Sequence, residues 1–425
     1  MNPHEIAQQV VAGDFSQLPG NPSSWMGWMN HPGELSALIE RIDGLDLRRN
    51  ERTILVGMGG SSSGAGMLAH EIGDATLTIL DTSHPDSIQT TNFEDANLVV
   101  SSKSGGTVET VATMAYALSH GALAENLTII TDPGTALDEL GRSLGATLLY
   151  GDPRTGGRFS ALSVFGVAPV LIAGASSFPT SVLDDNEWVE SFVHGTESAP
   201  ASGWGSMSIS GDPLSSFTAL WEEQLIAEST GKDGKGVLPT PGSPREIRDI
   251  TLHVQRTHAF TVGLCVALGV DPFIQPDVES AKRLTFAELS SPTRDQFLAP
   301  NGLQDWIERG GPIALQVYGP LSRTGEVAAL RGTIASMGHE VSAGLGPRYL
   351  HSTGQLHKGG SAVLRFLQIL VEPGSEPERI SGRNYSFHDL IAAQARGDYH
   401  DLLSRGRDIV RVQVAPSEPL SALLH

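Results

Sequence analysis

Short apolar runs alternate with amphipathic segments through the first part of this chain. Each run is bounded by turn residues and has the length of a buried strand. The runs are Thr53–Val56, Leu77–Leu80, Leu98–Val100, Leu127–Ile130 and Ala146–Leu149. Between them, Val108–Ser119 and Ala136–Leu144 have the spacing of helices. Strands that alternate with helices predict a parallel sheet with helices on both faces.

A second α/β region is predicted after a helical stretch. Apolar positions at helical spacing predict helices at Phe217–Glu228 and His258–Leu268, and another helix from Pro276. The strand–helix–strand pattern then returns later in the chain. We therefore predict an α/β fold of two domains, each a parallel β-sheet flanked by helices in a flavodoxin-like three-layer sandwich. Residues 1–190 would hold an N-terminal helical segment and the first domain, and residues 191–425 the second domain.

Charge and composition disfavour several classes of binding partner. The 425 residues carry a formal net charge of −20, which disfavours nucleic acid and anionic membrane surfaces as partners. No apolar run approaches the roughly 20 residues of a membrane span, and no secretory signal is visible. Cys265 is the single cysteine, so no internal disulfide is expected. These features predict a cytoplasmic protein, and an anionic small molecule would need local positive charge to bind.

Two loops rich in glycine and serine follow predicted strands. The first loop reads GMGGSSSG from Gly57, and the second reads SSKSGGT from Ser101. Glycine lets the backbone approach a ligand, while amides at a helix start and nearby hydroxyls donate hydrogen bonds to an anion. Each loop alone also fits an ordinary strand-to-helix turn. Together, with Lys103 in the second loop, they predict one phosphate held between neighbouring strand ends.

Four further segments carry candidate chemistry. Arg158 follows two glycines, Glu228 ends a predicted helix, Lys282 lies near a helix start, and His351 lies in a string of small residues. A carboxylate, a histidine and two cations beside a phosphate site suit proton transfer at a carbon next to a carbonyl. The histidines lack the spacing of metal ligands, so no metal site is predicted.

The order of these motifs resembles a known enzyme family. GMGGS, SKSGGTVET, GGRFSALS, ESTGKDGKG and QPDVESAK, in that succession, are similar to glucose-6-phosphate isomerases built on sugar isomerase (SIS) domains. The string GPRYLHSTGQLHKGG also looks like the isomerase half of fused transaldolase–glucose-6-phosphate isomerase proteins. The resemblance implies two SIS-type domains, a homodimer, no metal or other cofactor, and a place in glycolysis and gluconeogenesis.

The resemblance also implies roles for individual residues. Glu228 would be the base that moves a proton between C2 and C1, and Arg158 would stabilise the enediolate. Lys282 and His351 would assist ring opening. The remaining residues would bind the substrate, the first five through its phosphate: Ser61, Ser102, Lys103, Ser104, Thr107, Gly60, Gly157, Gln275 and Glu109.

One feature departs from the family pattern. In the family, the histidine motif lies between the ESxGK and QPxVExxK segments, whereas here it follows both. The second half therefore looks rearranged, and His357 or Lys358 is an alternative to His351 as the ring opener. Two other functions are kept open. One is a dual glucose/mannose 6-phosphate isomerase, and the other is a non-catalytic sugar-phosphate sensor.

Overall fold

The computed structural model describes residues 2–20, 22–45, 47, 50–298 and 301–424, apart from the side chains of Glu279, Ala281, Lys282 and Asn301. The described part contains two parallel sheets of different size and one small two-stranded sheet. Its strands are β1 (Arg52–Gly57), β2 (Leu77–Leu80), β3 (Ala96–Ser101), β4 (Leu127–Thr131), β5 (Thr147–Tyr150), β6 (Trp204–Ile209), β7 (Gly236–Pro241), β8 (Ile313–Tyr318), β9 (Val341–Leu345), β10 (Arg365–Val371) and β11 (Ile409–Val414).

Helices cover the sheets and connect their strands. They are α1 (Pro3–Val11), α2 (His31–Asp43), α3 (Ser63–Ile72), α4 (Pro85–Gln89), α5 (Val108–Ser119), α6 (Ala136–Leu144), α7 (Val164–Ile172), α8 (Asp185–Glu197), α9 (Phe217–Thr230), α10 (Ile250–Leu268), α11 (Glu279–Ser290), α12 (Asn301–Glu308), α13 (Thr324–Ser336), α14 (Gly354–Gly359) and α15 (Phe387–Ser404). No helix of the described residues is long and apolar enough to cross a membrane.

The two larger sheets share one winding. The first has the order β2-β1-β3-β4-β5, and the second has the order β11-β10-β8-β9. If the strands of the second sheet are numbered 1 to 4 in chain order, their order from the β9 edge is 2-1-3-4. The first sheet has the order 2-1-3-4-5, so the two orders differ only by the fifth strand. All neighbouring strands in both sheets are parallel. This is the flavodoxin-like order, so the predicted α/β class with two flanked parallel sheets is confirmed. The domain division after residue 190 stays a prediction.

Several predicted boundaries were wrong at one end. Helix α10 begins at Ile250, because the Asp249 side chain accepts hydrogen bonds from the first-turn amides. The apolar spacing predicts a helix at Phe387–Arg396, but helix α15 continues to Ser404. Helix α11 begins at Glu279, three residues after the predicted start. The small sheet of β6 and β7 was missed because β6 is largely half-exposed and β7 contains two prolines, which weakens the strand signal.

Helix α9 is buried along nearly its whole length. Every residue from Thr218 to Thr230 is buried, so the helix has no solvent-facing stripe. Trp221 and Leu225 pack in the core of the first sheet, whereas Ala227 packs with Leu356 of the second half. Helix α9 therefore connects the two halves, and its last turn lies inside the molecule.

Buried histidines make the fold sensitive to acid. Burial lowers the pKa of His31 and His84 to about 4 and that of His258 to about 3. The unfolded chain binds more protons than the folded chain between these values and the usual histidine pKa, so stability falls as pH falls through that range. Each such histidine should lower the free energy of unfolding by about 2 kcal/mol when the pH falls from roughly 7 to 5.

We expect His258→Phe to reduce this pH dependence. The ring of His258 lies among Trp28, Phe159 and Trp221, and its Nε2 has no hydrogen-bond partner among the described residues. Urea unfolding at about pH 7 and about pH 5 should show a loss smaller by about 2 kcal/mol than in the wild type. The exposed His4→Phe is the control, and an equal pH dependence in His258→Phe and wild type would contradict the prediction.

Candidate functional site

The first glycine loop makes close backbone contacts with two other segments of the chain. It lies at the carboxyl end of β1, where Gly59 has a φ of +55°. A Cβ atom on Gly59 would lie 2.4 Å from the carbonyl oxygen of His351, and one on Gly60 would lie 2.1 Å from that of Gly157. Only glycine permits these approaches. Ser61, the last residue of the same turn, is buried. The loop thus lies directly against the segments of Arg158 and His351.

The second loop presents hydroxyls at the start of α5. Ser102 Oγ and Thr107 Oγ1 are 2.9 Å apart, and the Thr107 side chain makes no capping hydrogen bond to the helix that begins after it. Ser104 is exposed in the same loop. Because β1 and β3 are neighbours, both loops lie at the same edge of the first sheet. Uncapped amides and hydroxyls at that edge can bind an anion.

Lys103 is already engaged within the protein. Its ammonium pairs with the Asp132 carboxylate and also donates to the Asp152 carbonyl at 3.3 Å. The side chain is 18% exposed, so it reaches the surface beside the loop. Its positive charge is therefore partly offset before any ligand binds.

Arg158 is fixed by contacts on all sides of its guanidinium. Its Nε and Nη2 donate to the Pro272 carbonyl at 3.1 and 2.8 Å, and Nη1 donates to Gln275 Oε1 at 2.8 Å. Nη1 also lies 2.8 Å from Glu228 Oε1. Gln275 is exposed, whereas Arg158 is buried. The guanidinium therefore presents a buried positive charge to Glu228 in one fixed orientation.

Glu228 lies in the last turn of α9, and only 10% of its side chain is exposed. Its Oε2 accepts from Gln224 Nε2 at 3.0 Å. Lys232 Nζ donates to the Glu228 and Ser229 carbonyls at 2.9 and 2.6 Å, which satisfies the end of the helix. Burial, with the nearby Arg158 charge, lowers the pKa of Lys232 to about 7. These neighbours explain how a carboxylate is accommodated at a helix C-terminus.

His351 lies close to Glu228 despite its late position in the chain. Gln224 Nε2, which donates to Glu228, also donates to the His351 carbonyl at 2.9 Å. The imidazole Nε2 lies 2.9 Å from Glu109 Oε1, so a second carboxylate joins the site. A Cβ on Gly231 would lie 2.3 Å from the Leu356 Cα, which shows how closely the histidine segment packs on the end of α9.

The two alternatives to His351 lie in the core of the second half. Lys358 Nζ is 2.6 Å from Asp398 Oδ1, and both side chains are buried. Burial lowers the pKa of His357 well below its usual value, and its Nδ1 lies 3.2 Å from Gln316 Nε2. Both groups are engaged in contacts inside the second half, whereas the His351 imidazole faces Glu109. The predicted role of Lys282 depends on its side chain, which lies outside the described residues.

Sequence reasoning missed two glutamines and their serine partners. Ser63 Oγ donates to Gln224 Oε1 at 2.7 Å, and Gln394 Nε2 donates to Glu109 Oε1 at 2.6 Å. Gln224 precedes Glu228 by one helical turn, so the shared helix face was a usable signal. Gln394 is distant in sequence from Glu109, and no local pattern could have paired them.

Comparisons with known proteins give partial matches. The chain is 33% identical over 135 residues to the glucose-6-phosphate isomerase of Campylobacter jejuni, across 28% of this chain and 33% of that relative. It is 26% identical over 288 residues to the enzyme of the same name from Bacillus anthracis, across 56% of this chain and 63% of the relative. The matches thus span less than two thirds of these curated relatives.

A solved structure gives a looser match. A putative phosphosugar isomerase from Silicibacter pomeroyi aligns with 96% of this chain and 99% of its own, at 12% identity and a TM-score of 0.35. No family model matches the chain. The chain is therefore similar, in part of its length, to proteins named glucose-6-phosphate isomerase.

Proposed function

We propose that this chain is an aldose–ketose isomerase that interconverts glucose 6-phosphate and fructose 6-phosphate through an enediol(ate). The observation that carries the proposal is the buried Glu228 carboxylate, which Arg158 and Gln224 hold beside the first glycine loop. The partial similarity to glucose-6-phosphate isomerases supports the same activity.

Each part of the site would carry out one step of the isomerisation. The phosphate would bind at the edge formed by the two loops, with donors from Ser61, Ser102, Ser104 and Thr107. His351, held by Glu109, would open the sugar ring by taking the proton of the C1 hydroxyl at Nδ1 and passing it to the ring oxygen as the bond between C1 and that oxygen breaks. Glu228 would then take the proton from C2 and return it to C1, while the Arg158 charge stabilises the developing oxyanion.

Removing two loop hydroxyls should weaken phosphate binding. We expect the double variant Ser102→Ala with Thr107→Ala to lose roughly 1.5–3 kcal/mol per hydroxyl, because each would donate to a charged group. The KM for the sugar phosphate should rise strongly, with a smaller change in kcat, as measured by steady-state kinetics. Ser119→Ala, at the exposed end of α5, is the control. Unchanged inhibition by phosphate-bearing analogues would contradict the phosphate assignment.

A coupled assay on glucose 6-phosphate and mannose 6-phosphate tests the proposal directly. Turnover of the glucose phosphate alone supports it. Turnover of both sugars would identify the dual isomerase, which uses the same chemistry in a different pocket. Binding of either sugar phosphate without turnover would support the sensor. The homodimer and the cytoplasmic location stay predictions.

A further inference from the structure

Helix α15 brings a glutamine to the Glu109 carboxylate. Gln394 Nε2 donates to Glu109 Oε1 at 2.6 Å, and the same oxygen accepts from His351 Nε2 at 2.9 Å. Gln394 and Glu109 are buried, with 2% and 4% of their surfaces exposed. The carboxylate that faces the imidazole is therefore also held by an amide.

A buried serine bonds the oxygen of this amide, and the Glu109 carboxylate sets its orientation. Ser83 Oγ donates to Gln394 Oε1 at 2.6 Å, and Ser83 is fully buried. With its oxygen occupied, the amide directs its nitrogen at Glu109. The reversed amide would place an acceptor against a carboxylate oxygen, which is also an acceptor. Ser83 and Gln394 thus form a chain of hydrogen bonds that ends at Glu109.

The same face of α15 holds the segment around His351. Asp398 follows Gln394 by one helical turn, so the two side chains share a face. Its carboxylate accepts from the Tyr349 hydroxyl at 2.8 Å and from Lys358 Nζ at 2.6 Å. Tyr349 and Lys358 lie on either side of His351 in sequence. One helix face therefore contacts both the partner of His351 and the loop that carries it.

We propose that Gln394 is a positioning residue for ring opening: with Ser83, it holds the Glu109 carboxylate toward His351 Nε2. This inference rests on the proposed isomerase function. A carboxylate fixed at Nε2 keeps the proton of the neutral imidazole on that nitrogen, which leaves the lone pair on Nδ1. A carboxylate free to rotate would let the ring change both tautomer and orientation. Gln394 touches no reacting atom and acts through Glu109.

Gln394→Met removes the amide at nearly constant side-chain length and tests the proposal in the full chain. We expect kcat on ring-closed sugar phosphate to fall about 10-fold to 100-fold, by analogy with groups that orient metal-bound histidines. KM should change little, and turnover of substrate supplied in the open form should stay near the wild-type value. Ser83→Ala should give a smaller loss of the same kind. In a His351→Ala background, Gln394→Met should add no further loss.

The matched control is Gln368→Met in β10. Gln368 is as buried as Gln394, but its amide has no hydrogen-bond partner in the described structure. Its substitution should leave kinetics unchanged and alter stability at most modestly. If Gln394→Met matches this control in kcat, or slows closed and open substrates equally, the positioning role is overturned.

An activity-independent measurement separates this inference from the proposed function. With ¹⁵N-labelled histidine at alkaline pH, the His351 imidazole should show one tautomer, protonated at Nε2, assigned by its absence in His351→Gln. Gln394→Met should show a mixture of tautomers, and Gln368→Met the wild-type state. An unchanged tautomer in Gln394→Met would overturn the inference. An inactive wild type with the expected tautomer change would overturn only the proposed isomerase function.

Discussion

Replacing Glu228 by glutamine should lower kcat by about 10²–10⁴-fold, the usual contribution of a positioned general base. Glutamine keeps the size of the side chain and still accepts a hydrogen bond from Arg158, and it loses only the hydrogen bond from Gln224, so most of the site should stay assembled. KM should change little, because the phosphate loops would be untouched. Exchange of the C2 proton with solvent should be lost together with turnover, which steady-state kinetics and proton NMR in deuterated water can measure.

The chain offers a matched control for this variant. Glu288 is a buried carboxylate paired with Arg396 at 3.0 Å, close to the geometry of the Glu228–Arg158 pair. Glu288→Gln should cost a similar amount of stability and keep kcat. If Glu228→Gln still exchanges the C2 proton at the wild-type rate, another group is the base, and Glu109 is the next residue to test.

Replacing His351 by alanine should separate ring opening from proton transfer. The imidazole bonds Glu109, whereas Glu228 is held by Arg158 and Gln224, so the two steps depend on different groups. We expect His351→Ala to lose about 10²-fold or more on ring-closed substrate and much less on open substrate. The comparison needs rapid mixing, because the open form closes again in solution.

A second histidine–carboxylate pair provides the control. His120 and Glu378 lie 2.8 Å apart on the exposed side of α5, away from the loops. His120→Ala should leave both activities unchanged. Equal losses on closed and open substrate in His351→Ala would show that His351 does not open the ring, and Lys358 or His357 would then be tested.

The sequence predicted the elements whose signals are local. Helices α5 and α6 begin and end where their apolar spacing and flanking residues indicate, and both loops follow the predicted strands. Glu228 and Arg158 were named from short motifs, and the structure places them 2.8 Å apart. These features depend on neighbouring residues, which a single sequence displays.

What the sequence did not reveal depends on distant contacts. The proximity of His351 to Gln224 could not be read from motif order, because packing of α14 on the end of α9 produces it. The chain of hydrogen bonds from Ser83 through Gln394 to Glu109 joins three separate segments. The sequence also did not show that α9 is buried on all sides. A helix without a solvent-exposed face has no polar stripe that would indicate which of its faces contacts the core.

The contact between Gly59 and His351 has a consequence for synthesis of the chain. The first glycine loop emerges early from the ribosome, but its backbone partner is made much later, and the Gln394 that holds Glu109 is made later still. A nascent chain can form the first sheet and its loops before His351 is available to pair with Glu109. The complete set of site residues is therefore assembled only after α15 has been translated, and its assembly carries the entropy cost of closing a long loop.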